Sequence, residues 1–197
     1  MPLNRQLIRK WLGLGIILLI LPAANSSARP QGGRSKPAPS TGKSAPTGDL
    51  PLIDLAGYNQ VLAKHKGKPV LVTFWATWCE PCRDEYPMIV ELEKQYSTQG
   101  LAVFGVDMDD TAELNLVRRF LARNQPRFPN FRQKPGIDLD AFYHGVNPAW
   151  TGAMPETVFY GRDGRIAGHF IGEQPRASFE QAIHLILAES AAPKTGQ

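Results

Sequence analysis

From Leu50 onward the apolar residues alternate between short strand-like runs and helix-like stripes. Val70–Trp75 carries six apolar or β-branched residues in a row without a charge and predicts a buried strand. Ahead of it, Asp54 is placed to cap a helix toward Lys66 with Leu55, Tyr58, Val61 and Leu62 on one side, and Gly67-Lys68-Pro69 ends it. Behind it, Met88, Ile89, Leu92 and Tyr96 form the apolar face of a helix from Cys79 to about Thr98, with Pro87 expected to kink it. Leu101–Val106 reads as the next strand, and Thr111 as the cap of a helix through Asn124. The stretch 126–135 reads as irregular, with a short strand near Phe128–Phe131, and Asp138–Tyr143 as a short helix. Thr157–Tyr160 and Arg165–Ile171 flank the turn Gly161-Arg162-Asp163-Gly164 and predict a hairpin; Arg176–Ala188 is the last helix. Strands alternating with helices predict an α/β fold, a mixed central sheet with helices on both faces.

The first 48 residues do not follow this pattern. Arg5, Arg9 and Lys10 precede the apolar run Trp11–Leu21, and small residues follow, ending in Ser26-Ser27-Ala28. That order describes a signal peptide over 1–28 or, alternatively, an uncleaved membrane tether through residues 11–24. The run itself is shorter than the ~20 apolar residues that span a bilayer. Residues 29–48 are rich in Pro, Ser and Gly and predict a disordered linker; 49–190 form the domain, and 191–197 a flexible tail.

Charge sharpens this division. The net +4 of the chain comes from 22 Lys/Arg against 18 Asp/Glu, but seven of the basic residues and none of the acids lie in 1–48. The remaining 15 basic residues face all 18 acids, so the domain is slightly acidic and no nucleic-acid partner is expected.

The chain has two cysteines, Cys79 and Cys82, where the apolar strand gives way to a helix. A helix N-terminus favours a thiolate, and a separation of three puts both sulfurs on one face, within reach of each other. A structural bridge across so short a loop would restrict the unfolded chain little. A zinc site needs further ligands, and His65, His144, His169 and His184 lack paired ligand spacing. The pair therefore reads as a redox couple, with no metal and no cofactor. Glu85, three residues past Cys82, is placed to raise the thiol pKa and shuttle a proton, or else to sit as a solvated surface acid. Glu80 adds a negative charge between the cysteines that tunes the potential toward a reductant, and Pro81 fits the first helical turn. Trp75 reads as core and Trp78 as a partly exposed contact for substrate, while Trp150 either lines the same groove or packs a loop. Asp107, Asp109 and Asp110 read as a solvated strand end.

Trp78-Cys79-Glu80-Pro81-Cys82 after an apolar strand, Pro87, and Met154-Pro155 ahead of another strand together resemble a thioredoxin-fold thiol-disulfide oxidoreductase. With Glu85 and the leader, the chain is most similar to the extracytoplasmic TlpA/ResA and CcmG-like branch, over roughly Pro51–Ala188. The resemblance implies Cys79 as nucleophile at an exposed helix mouth, a shielded Cys82 as resolving thiol, and Glu85 as the branch's glutamate. It also implies a cis Met154-Pro155 peptide that presents main chain to substrate. The implied partners are a protein disulfide, with apocytochrome c or a metal-centre assembly protein as candidates, and a membrane thiol electron donor. A disulfide oxidant or isomerase, or a copper or zinc carrier, are the alternatives. Two positions depart from relatives: Thr73 stands where thioredoxin has a buried acid, and Glu156 follows the proline where a small hydroxyl residue is commoner.

Overall fold

A computed structural model of the protein describes residues 50–188. The leader, the linker and the tail expected from the sequence lie outside these residues. No helix among the described residues is long and apolar enough to cross a membrane.

The elements run β1 (Leu52–Ile53), α1 (Leu55–Lys64), β2 (Val70–Trp75), α2 (Glu80–Tyr96), β3 (Ala102–Asp107), α3 (Leu114–Asn124), β4 (Asn130–Gln133), α4 (Leu139–Val146), β5 (Glu156–Tyr160), β6 (Ile166–Ile171) and α5 (Arg176–Ala188). They build one six-stranded sheet in the order β1-β4-β3-β2-β5-β6. β2 pairs in parallel with β3 and antiparallel with β5, so the sheet is mixed. Every residue of β2 is buried, as its unbroken apolar run requires of a central strand covered on both faces.

Successive residues of β2 point to opposite sides, and this sorts the helices. Trp75 stacks on Phe120 of α3 and meets Tyr86 of α2, while Phe159 on the same side packs on Phe179 of α5. Phe74 points the other way, toward Tyr58 of α1 and Phe142 of α4. The fold is thus the thioredoxin-like α/β arrangement, with α2, α3 and α5 on one face and α1 and α4 on the other.

Several local expectations are corrected. β1, too short to show a periodic pattern, pairs with β4 at the sheet edge. The short strand expected near Phe128–Phe131 lies two residues later, because Asn130 and Arg132 face inward from it toward Gly105 and Asp107. Thr111 does not cap α3: it opens a short 3-10 turn, Thr111–Glu113, that leads into the helix. Asp54 does cap α1, accepting from the Gly57 amide at 2.9 Å, and Asp138 caps α4 in the same way, accepting from Ala141 at 3.0 Å. α2 continues through Pro87 without interruption.

Gly105 permits the tightest contact beneath the active end of the sheet. A side chain there would collide with Asn130, whose Oδ1 accepts from Trp75 Nε1 at 3.3 Å and from Tyr86 Oη at 2.9 Å. One amide from β4 thereby ties the end of β2 to the first turns of α2.

Candidate active site

β2 ends at Trp75, and the chain turns through Ala76–Trp78 into α2, where the Cys79 amide donates to the Ala76 carbonyl at 3.3 Å. Cys79 is the N-cap of α2 and Cys82 lies in its first turn; the two are joined as a disulfide with Cα atoms 5.2 Å apart. The Cys82 amide donates to Cys79 Sγ at 3.3 Å, so one otherwise unpaired donor of the helix mouth points at the first sulfur. In the reduced protein that donor and the helix dipole favour a thiolate on Cys79. The mouth is less open than the sequence suggested. Cys79 retains 6% of its surface and Cys82 2%, so the first sulfur is the more accessible, but only through a narrow opening. Trp78 beside it is 62% exposed, Glu80 is exposed and Pro81 half-buried.

Glu85 is not a solvated surface acid: it is 4% exposed and falls within the buried stripe Cys82, Glu85, Tyr86, Ile89, Leu92 of α2. Its Oε2 accepts from the Gln174 amide, 3.2 Å away in the turn between β6 and α5. Burial pushes its carboxyl up to about 7, aided by the neighbouring charge of Glu173 and opposed by the Gln174 bond.

The Met154-Pro155 peptide is cis. Glu156, the residue after it, pairs with Phe74 across β2 and β5, which sets the proline at the same end of the sheet as the cysteines. Met154 is half-buried and Pro155 buried, and the Pro155 carbonyl accepts from the Gly172 amide at 2.8 Å. Glu156 itself is fully buried, a property that reading its residue type could not supply. Its Oε1 accepts from Asn147 Nδ2 at 2.8 Å and lies 3.5 Å from His169 Nδ1, and burial pushes its carboxyl up to about 7. The strict alternation of β5 would have placed it inward, on the side of Val158 and Tyr160.

Trp150 packs a loop rather than lining a groove: it is fully buried against Phe74 and Tyr143, with its Nε1 donating to the Ala153 carbonyl at 2.7 Å. The expected solvated strand end is also overturned. Asp107 and Asp109 are buried, and only Asp110 is exposed. Arg132 Nε donates to Asp107 at 3.3 Å, the Asp109 amide to Asp107 at 3.2 Å, and the Thr77 amide and hydroxyl to the two oxygens of Asp109 at 2.6 and 2.5 Å. Burial and the adjacent Asp109 carboxyl push Asp107 up to about 8. Arg132 supplies the partner that makes this burial tolerable, and it lies 25 residues away in a segment without a clear pattern. No group of three or more His, Cys, Asp or Glu side chains suited to a metal ion occurs among the described residues.

Comparison with known proteins agrees with this geometry. Residues 41–169 match the AhpC/TSA family. The chain is 33% identical to the thiol-disulfide oxidoreductase ResA of Bacillus cereus over 93% of its own length and 97% of the relative's. It is 29% identical to the thioredoxin-like protein YneN of Bacillus subtilis, over 91% of this chain and 99% of that one. Among solved structures, a thiol:disulfide interchange protein of the thioredoxin family from Chlorobium tepidum superposes with a TM-score of 0.55 at 26% identity, covering 64% of this chain and 83% of that one. The chain belongs to the thioredoxin-like AhpC/TSA family, among its ResA-type thiol-disulfide oxidoreductases.

Proposed function

We propose that the protein is an exported reductase of protein disulfides, working through Cys79 and Cys82 with Glu85 as the proton acceptor. The observation that carries this reading is the cysteine pair at the mouth of α2 with a buried carboxyl one turn further along the same helix face. In the reduced form the Cys79 thiolate attacks one sulfur of a substrate disulfide, forming a mixed disulfide and releasing the other substrate sulfur as a thiolate. Cys82 then passes its proton to Glu85 and attacks Cys79 Sγ. The Cys79–Cys82 disulfide forms and the second substrate sulfur leaves, so that two electrons have moved to the substrate. A carboxyl with pKa near 7 suits that transfer, because it accepts a proton from a thiol and returns it to solvent without a large driving force either way.

Trp78, Pro81 and the Met154-Pro155 peptide are the surfaces that receive the substrate chain. Glu80 and Glu85 both oppose negative charge on the sulfurs, which favours the oxidised enzyme and makes the reduced form the stronger reductant. The basic leader with its apolar run and the linker after it support export or a membrane tether. A membrane thiol would then supply electrons, and apocytochrome c or a metal-centre assembly protein would receive them. Two cysteines within one short motif suit thiol-disulfide exchange better than peroxide reduction.

Insulin reduction tests the assignment: Cys79→Ala is expected to fall to the uncatalysed background, and activity retained in that variant contradicts it. Cys82→Ser, which lacks the resolving thiol, is expected to accumulate covalent mixed disulfides whose captured partners identify the pathway.

A further inference from the structure

Ala76 and Cys79 bound the turn and are buried, but Thr77 and Trp78 between them have little packing of their own. Trp78 is 62% exposed and Thr77 half-buried, so apolar burial does not hold this stretch in place. Thr77 is held by three hydrogen bonds instead. The Thr77 amide donates to Asp109 Oδ2 at 2.6 Å and its hydroxyl to Asp109 Oδ1 at 2.5 Å, while its carbonyl accepts from Arg83 Nη1 at 2.8 Å. Asp109 uses both carboxylate oxygens on this one residue, two contacts that a side chain truncated at Cβ loses together.

The acceptor is itself braced. Its main-chain amide donates to Asp107, Asp107 accepts from Arg132 of β4, and Arg132 also donates to the Asp110 carbonyl at 3.1 Å. Two buried acids beside one arginine are more than closing the sheet requires, and the remaining hydrogen-bonding capacity is directed at the residue two positions before the nucleophile.

We propose that Asp109 is a positioning residue: by gripping Thr77 through both oxygens it fixes the pose in which Trp78 and Cys79 meet a protein disulfide. The inference rests on the reading of Cys79 and Cys82 as a redox couple. A protein substrate must lie along the turn to bring its disulfide to Cys79, whereas a small disulfide needs only the sulfur. The clamp therefore matters for the first and not for the second.

The test uses the dithiothreitol-reduced full chain with two probes, insulin and 5,5′-dithiobis(2-nitrobenzoic acid). Asp109→Ala and Thr77→Val are each expected to raise KM for insulin by about tenfold, with kcat changed less than about twofold, since a displaced turn weakens productive contact. The rate with the small disulfide is expected to stay within about twofold, and Thr77→Ser, which keeps both donors, to restore the wild-type KM. Thr77→Val removes one half-exposed hydroxyl and leaves the main chain intact, so it reports even if Asp109→Ala fails to fold. Unchanged KM for insulin in Thr77→Val, or equal losses on both probes, overturns the positioning role while leaving the redox couple in place. A wild-type protein that reduces neither probe overturns both.

Discussion

The two flanks of the Cys79–Cys82 disulfide both bury acids, and they treat them in opposite ways. On the strand flank, Asp109 accepts two hydrogen bonds from Thr77 while Asp107 faces Arg132. Burial and the acidic neighbour push Asp107 up to about 8, while Asp109 commits both of its oxygens to the two donors of Thr77. On the helix flank, Glu85 has a single main-chain donor, Gln174, and a neighbouring acid, Glu173. Two donors on one residue make Asp109 a fixed clamp; a single donor beside another acid leaves Glu85 a carboxyl that exchanges its proton near neutrality. Asp109 does its work by holding still, and Glu85 does its own by changing its charge.

The largest effect expected from breaking this contrast is on catalysis. Glu85→Gln cannot accept a proton, and the resolution step should slow by about a hundredfold, at the lower end of general-base contributions. In stopped-flow reduction of insulin, the wild-type rate should show an inflection near pH 7 that the variant lacks. An unchanged profile would mean that the two flanks do not differ in kind.

On the strand flank the corresponding change should be one of stability. Arg132→Met removes donors to Asp107 at the end of β3 and to the Asp110 carbonyl just beyond it, and should cost about 1–3 kcal/mol in denaturant unfolding. The Glu85-dependent inflection should survive in this variant. Losing the inflection along with the stability would show that the strand flank also takes part in proton transfer.

A smaller effect concerns pH and stability. Glu85 and Glu156 hold their protons to about pH 7 in the folded protein, against the usual 4.5, and Asp107 is shifted in the same direction. Between those values the folded chain binds more protons than the unfolded one. The stability these groups contribute is therefore fully present below the unfolded values and is lost as pH rises through the folded ones. The oxidised protein should melt at lower temperature at pH 8 than at pH 5, and Glu85→Gln should flatten part of that slope and be the more stable form at pH 8. Glu156→Gln should flatten another part of it, since burial raises that carboxyl against the opposing hydrogen bond from Asn147. Equal slopes in all three proteins would show that neither glutamate titrates on unfolding.

The smallest expected change lies on the surface between the flanks. Trp78→Ala should raise KM for insulin by about threefold, as loss of a peripheral aromatic contact would. With 62% of the side chain in solvent, the melting temperature should hardly move. A large loss of stability would show that Trp78 serves the fold rather than the substrate.

Much of the frame was legible because periodicity and punctuation agreed. The apolar run Val70–Trp75 could only be a central strand, Asp54 and Asp138 announced their helices, and Gly161-Arg162-Asp163-Gly164 marked the hairpin. The cysteine spacing located the site. What escaped was whatever depended on a distant partner. Asp107 looked solvated because Arg132, which makes its burial possible, lies in a strand of four residues that follows a proline-rich stretch. β1 is two residues long and exists through its pairing with β4. Glu85 stood out by its spacing from Cys82, but that spacing also fitted a solvated surface acid, and only the packing around the stripe it shares with Cys82, Ile89 and Leu92 decides between the two.

The most direct test of the central claim is the midpoint potential of the Cys79–Cys82 couple, titrated against dithiothreitol redox buffers and read by thiol alkylation. Two opposing carboxyls, Glu80 and Glu85, predict a reversible two-electron transition nearer the thioredoxin value of roughly −270 mV than the DsbA value of roughly −120 mV. A DsbA-like midpoint, or a disulfide that does not exchange with the buffer at all, would contradict the account.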